Sequence, residues 1–183
     1  MQKIEPQDFV LKNGKLVTIR QAAPADAEQL LDCIKIYVDD SPFIPQYADE
    51  ITNDVNAERD LINTFAENDN SLLLVAEHGS KIIGNIDLTG SQRRIMAHTG
   101  MIGMGMVIEW QNTGLGTVLL KEMMAWAKQN PILEVVWLQV YTENLAGLSL
   151  YKKIGFRENG IVKNFFKQDG RYYDVLTMSI SVK

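Results

Sequence analysis

The chain has 183 residues, of which 46% are apolar and 22% are charged, and its formal net charge is −5. These values predict one globular domain over residues 1–183 and exclude collagen-like, low-complexity and disordered chains. The longest apolar run, residues 101–108, is far too short to span a membrane, and residues 1–6 lack the apolar stretch of a signal peptide. Cys33 is the sole cysteine, which excludes an internal disulfide and a cysteine-rich zinc site. We therefore predict a soluble cytoplasmic protein that binds no metal.

Acidic residues are concentrated in the first half of the chain. Residues 1–100 contain 9 Lys/Arg and 16 Asp/Glu, whereas residues 101–183 contain 9 and 7. The excess is largest in residues 21–70, where twelve acids accompany only Lys35 and Arg59. This sign disfavours nucleic acid as a partner, because a phosphate backbone attracts basic residues. It fits a cationic substrate on the acidic half and an anionic cofactor on the other, or else acids that solvate helix faces.

Apolar periodicity and turn residues predict a mixed α/β sheet covered by helices, with the element order β-α-α-β-β-β-α-β-α-β-β. A proline suits the first turn of the first predicted helix, and Asn144 suits the N-cap of the last one. The predicted strands are residues 16–20, 72–76, 82–88, 98–108, 135–140, 156–166 and 172–180. The predicted helices are residues 24–38, about 53 to 66, 114–129 and 145–154.

A polar turn with two glycines joins a predicted strand to the third predicted helix. The unpaired N–H groups at a helix start attract anions, and glycine lets a ligand approach the backbone closely. A Walker A loop is excluded because no Gly-Lys-Ser/Thr occurs, and a dinucleotide motif is excluded because Ile108 and Leu119 replace the glycine it would need. The segment matches Gln/Arg-x-x-Gly-x-Gly/Ala, with Gln111, Gly114 and Gly116 at the defined positions. It predicts a cradle for a phosphate or pyrophosphate group.

With three further features, this motif makes the chain resemble the GCN5-related N-acetyltransferase (GNAT) superfamily from about residue 16 to the C-terminus. The features, in chain order, are the hairpin with Ile83-Gly84, the strand ending Met106-Val107, the loop 111–116, and segment 144–156. The last resembles the pattern Asn-x-x-Ala…Leu-Tyr-x-x-x-Gly-Phe, with Gly147 at its alanine position. Segment 169–174 with Met178 is similar to the branch of bacterial amino-acid and ribosomal-protein acetyltransferases.

The resemblance implies a single GNAT-type domain with a mixed, mostly antiparallel sheet of about six to seven strands, flanked by about four helices. It also implies acetyl-CoA as co-substrate, bound where two strands splay apart, and Gly103 and Gly105 are positions where a bulge could start that splay. Pyrophosphate would lie on residues 112–117 and pantetheine against the strand end. The implied cofactor-binding residues are Met106, Val107, Gln111, Asn112, Thr113, Gly114, Leu115, Gly116, Thr117, Asn144, Tyr151 and Lys153.

The resemblance places a general acid at Tyr151, which would protonate the departing CoA thiolate. The two positions at which relatives carry a general base are Gly100 and Gln139 here, and neither side chain accepts a proton. The remaining base candidates are His98, Asp87, Glu109 and Glu143. We predict His98 or Glu109 beside Tyr151 as catalytic residues, and a water chain is an alternative to any of the four.

The predicted function is acetyl transfer to a primary amine by direct attack in a ternary complex, without a covalent enzyme intermediate. The predicted acceptor is a small cationic amine or amino acid, in a pocket lined by Phe43, Tyr47, Tyr172 and Tyr173. The alternatives are an acetyltransferase for protein N-termini or lysines and a non-catalytic acyl-CoA sensor. The resemblance also suggests a homodimer, because C-terminal strands in this superfamily often pair between subunits.

Overall fold

The computed structural model describes residues 4–52 and 54–183, and over these ranges the chain forms one α/β fold. Its described α-helices are α1 (Ala27–Asp40), α2 (Val55–Glu67), α3 (Leu115–Gln129) and α4 (Leu145–Ile154). Its described strands are β1 (Gln7–Val10), β2 (Leu16–Gln21), β3 (Leu72–His78), β4 (Lys81–Gly90), β5 (Thr99–Met106), β6 (Val135–Tyr141), β7 (Arg157–Gln168) and β8 (Arg171–Ser181). No helix in the described ranges is long and apolar enough to cross a membrane.

These strands form one open sheet in the order β1-β2-β3-β4-β5-β6-β8-β7. Neighbouring strands are antiparallel except β5 and β6, which are parallel. The predicted mixed α/β architecture is confirmed, but the sheet has eight described strands where six to seven were expected. The additional strand is β1, which pairs with β2. The four residues of β1 are mostly exposed, and their burial alternates only weakly. They therefore carry little of the alternating hydrophobic pattern that identifies a strand.

The sheet has a hydrophobic core on each face. In β3, Leu72 and Leu74 pack on the face covered by α3, whereas Leu73 and Val75 pack on the face covered by α1 and α2. Burial on both faces explains why this strand is an unbroken apolar run rather than an alternating one. The two helical layers therefore enclose the sheet and leave its long edges free.

A side chain caps the start of α2, and an ion-pair network holds the start of α1. Asp54 caps α2, where its carboxylate accepts hydrogen bonds from the N–H groups of Asn56 and Ala57. The predicted start of this helix, Asn53, lies outside the described residues. Before α1, Asp26 forms an ion pair with Arg20 of β2 at 2.7 Å, and Arg20 also pairs with Glu77 of β3. This network fastens the entry of α1 to the sheet.

The strands β5 and β6 diverge at the centre of the sheet. Thr99 to Met101 pair with Val135 to Trp137, and in the described part of the chain the pairing stops there. The prediction of splayed strands is therefore confirmed. A bulge at Gly103 or Gly105 is not its origin, because the β4–β5 register continues unshifted through both positions.

The two glycines instead make room for side chains on neighbouring elements. A Cβ atom on Gly105 would lie 2.3 Å from the ring of Tyr37 in α1. A Cβ atom on Gly103 would lie 2.7 Å from Oδ1 of Asp87 in β4. Glycine is needed at these positions because other groups already occupy the space of a side chain.

Candidate active site

A cavity of about 670 Å³ opens where β5 and β6 diverge. At one end it is bordered by the starts of α3 and α4, and at the other by α1 and the segment that follows it. A ligand can therefore lie across the gap between the strands and touch both helical layers. This position joins the predicted anion cradle to the part of the chain predicted to hold the acceptor.

The cradle end is shaped by the loop between β5 and α3. Trp110 anchors this loop in the core, with only 2% of its surface exposed. Asn112 and Gly114 adopt left-handed backbone conformations with φ of 59° and 99°. Gly114 is the N-cap residue of α3, and no described side chain caps the helix. The first N–H groups of α3 are therefore available to an anion.

The predicted cradle residues divide into lining and supporting groups. Those that line the cavity are Gln111, Asn112, Gly114, Gly116 and Thr117. Thr113 supports the loop, since its hydroxyl donates to the Trp110 carbonyl at 2.6 Å, and Leu115 has its side chain fully buried in the core. Thr113 and Leu115 contribute only their backbone to the cradle.

Two lysines line the cavity near the cradle. Lys153 was expected from the resemblance, whereas Lys12, in the turn between β1 and β2, was missed. The Lys12 N–H donates to the Thr113 carbonyl at 3.0 Å, and its side chain runs beside Gly114. About one hundred positions separate Lys12 from the motif, so no spacing signal connects them. The pairing of β1 with β2 brings it there.

The backbone of β5 faces the gap at Met104 and Met106. The Val107 N–H donates to the Ile83 carbonyl at 3.0 Å. Hydrogen-bonding direction alternates along an antiparallel strand, so the N–H and C=O groups of Met106 and Met104 point away from β4 and towards the gap. This corrects the expectation for Val107, whose N–H is already used within the sheet.

Helix α4 places Asn144 and Tyr151 on the cavity wall. Asn144 caps the helix by accepting a hydrogen bond from the Gly147 N–H at 2.9 Å. The ring of Tyr151 packs edge-on against Phe156, with 5.9 Å between centroids, and burial raises the pKa of its phenol to about 12. The phenol therefore stays protonated near neutral pH and carries an O–H that can donate a hydrogen bond.

Comparisons with known proteins agree with this geometry. The model of the Acetyltransferase (GNAT) family matches residues 31–156. This chain belongs to the GNAT family. The match confirms the predicted family and, at that level, an enzyme of the N-acetyltransferase class.

Individual GNAT relatives are similar to different extents. The L-amino acid N-acetyltransferase AaaT of Escherichia coli is 26% identical over 58% of this chain and 65% of its own length. The N-alpha-acetyltransferase RimI of Mycobacterium tuberculosis is 24% identical over 88% of this chain and 90% of its own. The chain thus spans slightly less than two thirds of AaaT and most of RimI.

Solved GNAT structures share the fold. A GNAT acetyltransferase from Streptococcus pneumoniae superimposes with a TM-score of 0.88 at 29% identity, over 91% of this chain and 99% of that one. The yncA acetyltransferase from Salmonella typhimurium, solved with its cofactor acetyl-CoA, has a TM-score of 0.82 at 19% identity, over 91% and 94% of the two chains.

The four candidate bases of this GNAT chain lie in different places. His98 precedes β5 at the end opposite the gap, where its carbonyl accepts from the N–H groups of Glu134 and Val135. Glu109 is exposed on the cradle loop, and its side chain is not part of the cavity lining. Glu143 forms an ion pair with Arg171 at 2.9 Å. The fourth candidate, Asp87, lines the cavity.

The structure also shows the surroundings of Gly100 and Gln139, the two positions at which relatives carry a general base. A Cβ atom on Gly100 would lie 2.3 Å from Cδ2 of Leu88, so the packing leaves no room for a side chain there. Gln139 lines the cavity from β6, where its amide can donate or accept a hydrogen bond but cannot take a proton.

Aromatic rings form the wall at the acceptor end. Phe43 lines the cavity as expected, together with Tyr141 and Phe166, which were not predicted. Tyr141 stacks on Phe166 at 4.6 Å and contacts Phe43 at 5.8 Å between centroids. Tyr173, which was expected in the pocket, packs edge-on against Tyr141 with 5.6 Å between centroids and is not part of the cavity lining. The rings come from the segment after α1, from β6 and from the final hairpin, so sequence spacing does not group them.

Two other predicted pocket residues lie outside this wall. The Tyr47 hydroxyl accepts a hydrogen bond from the Asp169 N–H, and Tyr172 is exposed beneath the Lys167 ammonium. The acids of residues 21–70 are absent from the cavity lining as well. Among the described residues, the carboxylate at the acceptor end is Asp87, which comes from β4 and not from the acidic segment.

Proposed function

We propose that this protein transfers an acetyl group from acetyl-CoA to a primary amine by direct attack in a ternary complex. The observation that carries the proposal is the continuous cavity, which joins the anion cradle, the gap beside β5 and the aromatic acceptor end. The acetyl-CoA in the yncA structure, whose fold is similar, supports the choice of co-substrate. The cradle glycines and the lysines Lys12 and Lys153 suit its phosphates.

In this proposal, acetyl-CoA supplies the activated thioester and the chain's own groups direct the transfer. The N–H groups of Met104 and Met106 face the gap, where they polarise the thioester carbonyl as an oxyanion site. Tyr151 donates a hydrogen bond to the departing thiolate. With a pKa of about 12 the phenol stabilises the thiolate rather than surrendering its proton, because complete transfer to a thiolate of pKa ~8.5 is uphill by roughly 5 kcal/mol.

The acceptor is a small primary amine or amino acid that enters beside the aromatic wall. The ammonium form is favoured next to aromatic faces and next to the carboxylate of Asp87. AaaT, named for acetylating L-amino acids, supports this class. The N-terminus of a peptide is the second candidate, because the N-alpha-acetyltransferase RimI aligns over most of this chain.

A thermal-shift titration with acetyl-CoA, followed by thiol release against a panel of amines, tests this function. A ligand at 100 times its Kd adds about 2.7 kcal/mol of stability. The panel contains small amines, amino acids and peptides with a free N-terminus, and N-acetylated peptides serve as the control. We expect a shift and thiol release with one acceptor class. A shift without release in any arm would support the acyl-CoA sensor, and no shift would refute acetyl-CoA binding.

A further inference from the structure

The carboxyl group of Asp87 occupies an unusual position in the middle of the sheet. Asp87 lies in β4, with Leu73 of β3 on one side and Gly103 of β5 on the other. Directly opposed residues share a face, so its side chain points to the face covered by α1 and lines the cavity there. It is the base candidate that the fold brings to the acceptor end.

Nothing in its surroundings gives this carboxyl group a structural partner of opposite charge. Thr89 donates its hydroxyl to Asp87 Oδ2 at 3.2 Å, and no ion pair of Asp87 is formed within the described residues. Burying a carboxylate without a cation is costly, and here it raises the pKa to about 6. Structural packing at this position would be served better by an apolar side chain.

The carboxylate of Asp87 packs against the neighbouring strand at Gly103. A Cβ atom there would lie 2.7 Å from Oδ1, so glycine makes room for the carboxyl group, and a hydrogen bond with the Gly103 backbone partly offsets the effect of burial on its pKa. The next position, Met104, presents its backbone to the gap proposed for the thioester. The carboxylate and the proposed acyl site therefore lie on either side of one strand, and both border the cavity that the aromatic wall also lines.

We infer that Asp87 is the general base of the transfer, an assignment that rests on the proposed function. The bound ammonium gives one proton to the Asp87 carboxylate, directly or through one water, and the lone pair of the neutral amine forms the C–N bond. The C–S bond breaks and its electron pair leaves with sulfur, which accepts the hydrogen bond of Tyr151, while the second proton of the nitrogen passes to solvent. Asp87 then returns its proton to solvent, so the enzyme is regenerated without any other reactant.

The phenols and the thiol around Asp87 do not titrate near pH 6, so the titration of Asp87 can be observed by itself. Helix α1 presents the phenol of Tyr37 and, behind it, the thiol of Cys33, and burial raises the pKa of both. Helix α2 contributes Glu58, which acts electrostatically on Tyr37. From β6, Tyr141 has a pKa raised by burial, so every phenol and thiol here is neutral at pH 6. The phenol of Tyr151 in α4 is neutral as well.

The test compares the wild-type protein with Asp87→Asn and Asp8→Asn, using the amine that is active in the panel. Asp8 is a matched control, because it also accepts a threonine hydroxyl, from Thr18 at 2.6 Å, but it lies exposed on β1. In wild type, kcat/KM for the amine falls below pH about 6, because this ratio reports the pKa of Asp87 in the free enzyme. We expect Asp87→Asn to lower kcat by ~10²-fold or more with an unchanged Kd for acetyl-CoA. The difference in kcat between Asp87→Asn and wild type becomes smaller as the pH approaches the pKa of the amine. The control variant Asp8→Asn behaves as wild type.

Thr89→Val provides a second readout if Asp87→Asn folds poorly. The Thr89 hydroxyl lowers the pKa of Asp87 in the free enzyme, so removing it moves the acid limb of kcat/KM to higher pH. An unmoved limb, an active Asp87→Asn, or a variant that changes KM for the amine but not kcat would each overturn the assignment and leave the proposed function intact. Failure of the wild-type protein to transfer acetyl to any amine would overturn both.

Discussion

Tyr151 has the position and the protonation state of a donor to the leaving thiolate. Replacing it with phenylalanine removes the hydroxyl and keeps the ring contact with Phe156. We expect Tyr151→Phe to lower turnover by ~10²-fold or more, as the loss of a hydrogen-bond donor to a developing anion does, while the Kd for acetyl-CoA stays unchanged. Calorimetry and steady-state thiol release measure the two quantities, and the exposed Tyr172→Phe is the control. Unchanged turnover in Tyr151→Phe would remove the phenol from the mechanism.

Lys12 and Lys15 lie in the same turn but have different environments. Lys12 lines the cavity beside the cradle, whereas the Lys15 ammonium lies over the Trp110 ring at 4.6 Å. We expect Lys12→Gln to raise the Kd for acetyl-CoA by about threefold to tenfold, with a reduced salt dependence, because a charge-assisted contact with a phosphate is lost. Lys15→Gln tests whether loss of positive charge alone explains the effect. Equal changes in both variants would argue against a specific contact by Lys12.

The raised pKa of Asp87 also has a consequence for stability. A carboxyl group with a folded pKa of about 6 and an unfolded pKa of ~3.9 binds more protons in the folded state between those values. Its contribution to stability is therefore present at low pH and is lost as the pH rises through 6. We expect Asp87→Asn to gain stability relative to wild type between pH 4.5 and 8. Melting temperatures of both proteins across this range measure the difference, and a constant difference would contradict the raised pKa.

Single residues show which parts of the cavity lining a sequence motif indicates and which it does not. Gln111 and Gly114 were found because a loop motif depends on neighbours along the chain. Lys12 and Tyr141 were missed because strand pairing, not spacing, brings them to the cavity. For Val107, the type of residue was compatible with a cofactor contact, but its hydrogen bond to Ile83 depends on register, which a motif does not reveal.

Among the elements, β5 offers a direct test of why it is rich in glycine. Gly105→Ala forces a methyl group to within 2.3 Å of the Tyr37 ring, and such overpacking costs ~1–3 kcal/mol. Gly160→Ala in β7 is the matched control, because a Cβ atom there meets nothing within 4 Å. Denaturant unfolding of both variants measures the free energies. A Gly105→Ala variant as stable as the control would mean that Tyr37 moves freely out of the way.

A helix or strand could be predicted from the sequence where one hydrophobic periodicity dominates its segment. The four helices and seven strands expected from the sequence all appear, and most of them carry a buried stripe or run. The exceptions are α4, which the cap residue Asn144 indicates, and β7, which the turn before β8 indicates. The register of β5 was not predictable, since Gly103 and Gly105 are compatible with a bulge and with close packing. Contacts with Asp87 and Tyr37 from other elements decide between the two.

At the scale of the whole molecule, the outer strand β7 carries exposed apolar residues. Ile161, Val162 and Phe165 are each about half exposed, at 50%, 47% and 48%. We predict a homodimer in which this edge of the sheet meets a second copy, as the resemblance to the superfamily suggested. Light scattering after size exclusion should give the mass of a dimer for wild type and of a monomer for Ile161→Lys. Ile95→Lys, at an 85% exposed loop residue, is the control, and a monomeric wild type would refute the prediction.

The divergence of β5 from β6 also has a consequence for the order of events in turnover. One side of the acceptor end is the gap itself, so under the proposed function that side is completed only when the pantetheine arm of acetyl-CoA occupies it. An amine that arrives first meets an open, hydrated cleft, whereas one that arrives second meets a closed wall with an acyl group in place. The protein should therefore bind its substrates in a fixed order. Acetyl-CoA binds before the amine, and free CoA leaves after the acetylated product.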